Sequence, residues 1–433
     1  MTVQHAPEKP DRTKPAPGSP LEKALFAEVE RAFETEQVPR LIDWVDQPSH
    51  TYAKADVEAM QARIDQLATE MGLRVQKHAD AEGRFAAHRV YHPVHVDDSM
   101  PALALVGHAD TVFPREMNFL SSKRKGDTLY GPGALDMKSG LTSMFYALRA
   151  LQRIEPSLYA QLRVRLVCVS DEEVGSPSSA PLYRQLAPQT TAALVFEAGR
   201  VEDRIVVARK GAAGIRIRTR GRAAHSGNRH AEGVNAILAL SLLIPQIEAL
   251  TDYEKGITLN VGLCEGGSAK NTVPEQASCM VDIRFEKQSD GLRVIEHLQA
   301  LTERPFHEDA NNHAFQMLPL WLQERMKQAD FVLEGGISRP PMEASPNNDQ
   351  LRLSYEPFAQ RAGIRVGAAP LQGGGSDANL LAAAGVPCID GLGPYGKHFH
   401  KIEEWSSLDS LQRRTQALAA FLAAQAATVA TPS

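Results

Sequence analysis

Five short stretches hold acidic and imidazole side chains at intervals that suit a shared chemistry. GHADTV supplies His108 and Asp110, and GPGALDMKSG supplies Asp136, 28 residues after His108. SDEEVGS supplies Glu172 and Glu173, FEAG supplies Glu197, and GKHFHKIEEW supplies His398 and His400. An imidazole from each end and three carboxylates make a mixed nitrogen and oxygen donor set. Such a set suits zinc first, with cobalt or manganese as alternatives. A carboxylate shared by two ions would bring them to about 3.5–4 Å, close enough to stabilise a nucleophile and a developing oxyanion together. Adjacent side chains in Glu172–Glu173 cannot point the same way, so one can ligate while the other takes a proton from water. Asp110, two residues beyond His108, is placed to orient that imidazole.

These residues need elements that bring them together. Pro101–Gly107 (PALALVG) is a short apolar run of the kind buried on both faces of a sheet, with His108 at its end. Leu162–Val169 (LRVRLVCV) runs into SDEEVGS, and Ala192–Phe196 (AALVF) ends at Glu197. Helical spacing marks Leu21–Val38, Ala53–Met71 and Met137–Leu151. The pattern is that of a mixed α/β sheet, in which chemistry gathers at the carboxyl ends of the strands. After about residue 208 the texture changes. Ala213–Arg220 (AGIRIRTR), Ile257–Leu263 and Ser278–Phe285 alternate, and Val234–Leu250 is helical. The expected organisation is a tail over residues 1–20, a discontinuous catalytic domain over 21–208 and 321–433, and an inserted α+β domain over 209–320.

Composition narrows the function. The 433 residues carry 47 basic and 52 acidic side chains, a net charge of −5, so nucleic acid is not expected as a partner. No apolar run is long enough for a membrane span, and the polar, proline-rich first twenty residues lack the apolar core of a secretory signal. A cytoplasmic protein is expected. Cys168, Cys264 and Cys279 sit in apolar or strand-like runs and read as small core residues rather than a disulfide framework. His5, His50, His88 and His92 read as surface residues.

Taken in order, GHADTVFP, GPGALDMKSG, SDEEVGS, FEAG, GRAAHSG, NTVPEQASCMVDIRF and GGGSDANLLAAAGVP with its following His and EEW resemble metallopeptidase family twenty. This is the group of aminoacylase, acetylornithine deacetylase and carboxypeptidase G. The likeness runs from about residue 25 to 420, and Lys210 in RKG with Ser338–Met342 (SRPPM) is most similar to the carboxypeptidase G branch. It implies a catalytic domain of zinc-exopeptidase type with an inserted lid and dimerisation domain.

By this resemblance His108, Asp136, Glu173, Glu197 and His400 are ligands of two zinc ions, with Asp136 bridging and Glu172 the general base. His400 is preferred to His398 because Glu404 follows four residues later, with Trp405 next. His398 stands where the family usually has glycine. The resemblance also implies a cis peptide at Asp136–Met137. It assigns His225 to the oxyanion, commonly from a partner subunit, and Lys210, Asn271 and Arg284 to a substrate carboxylate. Gly374, in the close-approach turn Gly373–Asp377, joins the substrate-binding residues. Each has a plainer reading too: Asp136 as a helix cap, Asn271 as a turn residue, Arg284 as the partner of Asp282 on its own strand face. The activity implied is hydrolysis of an amide beside a free carboxylate in a small peptide. An N-acyl-amino-acid deacylase or dipeptidase on the same site is the alternative, and a non-catalytic binding relative the more distant one. The alternating edge strands of the inserted domain imply a homodimer.

Overall fold

The computed structural model describes residues 18–97, 99–200, 203–306 and 312–429. They divide into two compact units: one from the chain up to Val207 with Ala344–Pro370 and Ser376 onward, the other from Ala208–Glu343 with Leu371–Gly375. The expected tail lies outside the described residues as far as residue 17. Ser19 already caps the helix Pro20–Ala32, its hydroxyl accepting from the Glu22 N–H.

The first unit is built on a six-stranded mixed sheet. Its order is Leu73–His78 (β1), His88–Pro93 (β2), Val164–Val169 (β6), Ala102–His108 (β3), Thr190–Val195 (β7) and Cys388–Ile389 (β12). β3 pairs in parallel with β6 and β7, and every one of its residues is buried. That explains its unbroken apolar run, because helices cover both faces of parallel strands. β2 is buried throughout as well, so His88 and His92 are core residues and not the surface residues expected of them. The helices Lys138–Ile154 and Leu408–Val429 supply much of the core, with Phe145, Leu148, Leu418 and Phe421 fully or almost fully buried. A small second sheet runs Gly396–Lys397 (β13), Trp405–Ser407 (β14), Thr128–Tyr130 (β5) and Lys123–Lys125 (β4). Pairing of β14 with β5 fastens the segment that carries His400 beside the segment that leads to Asp136.

The second unit is a four-stranded antiparallel sheet of order Asp330–Arg339 (β11), Gly211–Arg220 (β8), Gln276–Phe285 (β10) and Thr258–Gly266 (β9). Ile215, Ile217, Cys279, Val281 and Ile283 face a core shared with the helices Ala236–Glu248 and Gln288–Glu303. Arg218 and Arg220 on the opposite face are exposed, the outcome that strict alternation requires. The unit continues past the expected boundary at residue 320. β11 pairs with residues Ala212–Arg220 of β8, and the chain stays in the same unit to Glu343. Among the described residues no helix is long and apolar enough to cross a membrane.

Candidate metal centre and active site

The carboxyl ends of β3, β6 and β7 carry three of the predicted residues to one place. His108 is the last residue of β3; Glu173 follows β6 in a short helical turn, and Glu197 follows β7. Two close approaches make room. A Cβ on Gly140, in the first turn of Lys138–Ile154, would lie 2.2 Å from the Phe196 carbonyl oxygen, and one on Gly393 would lie 2.7 Å from the Glu197 carbonyl oxygen. Glycine at both positions lets the helix and the loop before β13 press against the strand that delivers Glu197.

Asp136 lies at the centre. Its Oδ1 is 3.2 Å from His108 Nε2, and its Oδ2 is 3.3 Å from His400 Nε2. His108 Nε2 is also 3.8 Å from Glu197 Oε1, and His400 Nε2 is 3.1 Å from Glu173 Oε2. Two groups able to hold a cation result, His108–Asp136–Glu197 and Asp136–Glu173–His400, with the donor atoms of each within 4.8 Å of one another. Asp136 belongs to both. It does not cap the following helix, whose capping residue is Met137 with no side-chain hydrogen bond. The Asp136–Met137 peptide is cis.

The electrostatics explain why such a cluster wants cations. Three largely buried carboxylates converge with only two imidazoles, a buried His108 and an exposed His400. Burial and the charge of Asp136 push Glu173 up to about 7, and burial with the charges of Asp136 and Glu172 holds Glu197 well above the usual carboxylate range. Burial works against ionisation of Asp136, yet hydrogen bonds from His108 and His400 keep it well below its ordinary value. His400, facing Asp136 and Glu173, is raised to about 10. A donor set of carboxylates and imidazoles with this surplus of negative charge fits divalent zinc, cobalt or manganese.

Asp110 reaches four groups through its carbonyl and its carboxylate. Its backbone carbonyl is 2.9 Å from His108 Nδ1, nearer than its carboxylate at 3.5 Å, which leaves Nε2 facing Asp136. The buried carboxylate instead accepts the N–H of Glu172 at 3.3 Å, the N–H of Glu173 at 3.2 Å and the Thr51 hydroxyl at 2.8 Å. One residue thus fixes the ring of His108 and the backbone of the Glu172–Glu173 turn.

The other predicted residues lie in the second unit. His225 is exposed, and its Nδ1 accepts the N–H groups of Gly227 and Asn228 at 3.1 and 3.2 Å. In the neutral ring the proton therefore sits on Nε2, which is left as a donor. His225 and Thr272 form a β-bridge, which sets Asn271 beside the His225 turn. The Lys210 ammonium donates to the Gly256 carbonyl at 2.6 Å. Gly374 accepts from Arg209 Nη1 through its carbonyl at 2.9 Å. Arg284 makes a two-pronged pair with Asp282 at 2.9 and 3.0 Å, the plainer of its two readings.

The profile of peptidase family M20/M25/M40 matches residues 104–424. The chain belongs to that family. Its members are metallopeptidases and amidohydrolases, typically with two metal ions, so this M20 protein is a hydrolase of amide bonds. Carboxypeptidase G2 of a Pseudomonas species is 26% identical over 315 residues, 72% of this chain and 71% of that one. A succinyl-diaminopimelate desuccinylase of Xylella fastidiosa is 25% identical over 72% of this chain and 80% of its own. Among solved structures, an aminopeptidase PepT of Bacillus cereus superposes with a TM-score of 0.71 at 20% identity, over 90% of this chain and 98% of that one. An M20 family metallo-carboxypeptidase of Sulfolobus solfataricus gives a TM-score of 0.67 at 16% identity, over 90% and 99%. These two establish the likeness of fold.

Several supporting residues of this M20 site were not assigned from sequence. Glu404 is fully buried, and its Oε1 accepts the N–H of Leu135 at 2.8 Å and of Asp136 at 3.2 Å. Burial and the charge of Asp136 push it up to about 8. The spacing from His400 had marked Glu404, although its partners lie on a distant segment. Asp377, in the GGGSD stretch, accepts the hydroxyls of Ser176 and Tyr183 and braces the loop after Glu173. Lys138 is buried beside the centre and donates to the Gln47 carbonyl at 2.8 Å. Only a long-range contact reveals such roles, and no local pattern encodes it.

Proposed function

We propose that this protein is a dinuclear-metal exopeptidase of carboxypeptidase G type, which hydrolyses an amide next to a free carboxylate. The observation that carries the reading is the double use of Asp136, whose two oxygens face His108 and His400 in two separate donor groups. Two divalent cations, zinc in the first place, would be held by His108, Asp136, Glu173, Glu197 and His400 and would supply Lewis acidity to the amide carbonyl and to water. Glu172 takes the proton of the attacking water and hands it to the leaving amine. Asp110 holds that turn and His108 in place. From the resemblance, His225 donates its Nε2 proton to the oxyanion, in a homodimer from the partner subunit, and Lys210, Asn271, Arg284 and Gly374 receive the substrate. An Arg284 clamp would exchange Asp282 for the substrate carboxylate, a small cost because an exposed ion pair is worth about 0–1 kcal/mol. A cytoplasmic location belongs to the same proposal, supported by the likeness to desuccinylases.

A deacylase on the same centre is the second reading, supported by the desuccinylase likeness. Hydrolysis of a matched panel by zinc-loaded protein separates them: N-acetyl amino acids, N-aroyl-glutamate and N-aroyl-aspartate, and dipeptides with free or amidated C-termini. Cleavage confined to free-carboxylate substrates with bulky acyl groups supports the carboxypeptidase. Preference for short acyl groups replaces it with the deacylase.

A further inference from the structure

Cys264, expected in the core, is exposed on the edge strand β9. Its register partner on β10 is Cys279, which is buried. Cross-strand partners project from the same face of a sheet, with Cα atoms about 4.5–5.5 Å apart. A disulfide needs about 4.4–6.8 Å. Cys168 and Cys388 are buried in the first unit and have no such cross-strand cysteine. Burial, with the Cys264 sulfur as the next cause, pushes the Cys279 thiol up to about 11, while Cys264 is the sulfur that solvent and oxidants reach.

We propose that Cys264 and Cys279 form an oxidation site, an exposed thiol and a buried resolving thiol that close into an intramolecular disulfide across the edge of the second unit's sheet. The oxidant is a hydroperoxide. The Cys264 thiolate attacks its O–O bond, which yields Cys264 sulfenic acid and releases the alcohol, or water from hydrogen peroxide. The Cys279 sulfur then attacks the sulfenic sulfur, and the S–O bond breaks as water leaves. Two thiols and one hydroperoxide become one disulfide, one alcohol and one water. The link pins the outer strand to its neighbour, and a reducing thiol reverses it.

The test treats the full-length native protein with hydrogen peroxide, then blocks remaining thiols after unfolding and maps peptides without reduction. The expected result is one cross-linked peptide joining Cys264 to Cys279, no loss of alkylation at Cys168 and Cys388, and full reversal by dithiothreitol. In Cys264→Ser, Cys279 should stay fully alkylatable after the same treatment. A wild-type protein whose Cys279 remains alkylatable overturns the proposal, as does a covalent dimer joined through Cys264 of two copies on a non-reducing gel. Both readouts use the wild-type chain, so neither depends on the folding of a variant.

Discussion

Asp136 Oδ2 lies 3.3 Å from His400 Nε2, while the other oxygen of the same carboxylate faces His108. This contact joins a loop near the first third of the chain to one near its end. It makes Asp136 the residue on which both donor groups depend, and most of what can be tested follows from how that carboxylate is held and used.

Glu404 holds Asp136 through the backbone. Glu404→Ala leaves the Leu135 and Asp136 N–H groups buried without an acceptor, at about 1–3 kcal/mol each, and lowers metal affinity or activity by roughly 10–100-fold. Glu404→Gln keeps a carbonyl oxygen for both donors and should retain most of the metal. Equal metal loss in the two variants, measured by titration with a chelator, would contradict this role.

Asp110 is expected to act on the turn more than on the imidazole. In Asp110→Ala the backbone carbonyl that faces His108 survives, while the acceptor of the Glu172 and Glu173 N–H groups is lost. Turnover should therefore fall by roughly 10–100-fold with a smaller change in metal content. Steady-state kinetics beside metal analysis decides it, and a variant that loses metal and keeps turnover per bound metal would oppose it.

The metal-free protein should lose stability as pH rises. Glu173 at about 7 and Glu404 at about 8 both lie above their ordinary value of 4.5, so the folded chain binds more protons than the unfolded one between those limits. Their favourable contribution is complete below about 4.5 and is lost as pH climbs through 7 and 8. His400, raised to about 10, extends the same trend. Melting temperatures of chelator-treated protein should fall between pH 5 and 8, and bound zinc should remove the slope. A flat apo profile over that range would count against the buried carboxylate cluster.

His398 and His400 both adopt left-handed backbone, with φ of 66° and 64°. Such a conformation costs a non-glycine residue about 1–2 kcal/mol. His398→Gly should leave the melting temperature unchanged or raised, unlike an ordinary surface change to glycine. A clear drop, with activity lost, would show that the His398 ring does work that its backbone position does not reveal.

The strands that deliver His108, Glu173 and Glu197 were legible because buried parallel strands are largely apolar, with Arg165 the one charged residue inside β6, and each run led directly into the segment that holds its acidic or imidazole residue. The amphipathic strands of the second unit were legible for the complementary reason that alternation encodes one wet face. The boundary near residue 320 was not, because β11 joins β8 through backbone bonds that side-chain pattern does not announce. His88 and His92 were misread as surface residues because a polar side chain on a buried strand looks like one on an edge; His92 is accommodated by the Val96 carbonyl at 2.8 Å from its Nδ1. Cys264 was misread in the opposite sense, since an edge strand exposes residues that a central strand would bury. Glu404, Asp110 and Asp377 act through backbone groups and hydroxyls of distant segments, and such contacts appear only after folding.

His225 offers a check on the second unit. His225→Ala should leave metal content unchanged and cost about 10²–10³-fold in turnover, the usual loss for one oxyanion donor. Loss of metal instead would assign the ring to another role.

The most direct test of the whole account is the number of metal ions held per chain by wild type and by Asp136→Ala, measured by elemental analysis after zinc loading and gel filtration. The two donor groups that share Asp136 predict two equivalents for the wild type and close to none for the variant. One equivalent in the wild type, or a variant that still binds two, would contradict a dinuclear centre bridged by Asp136.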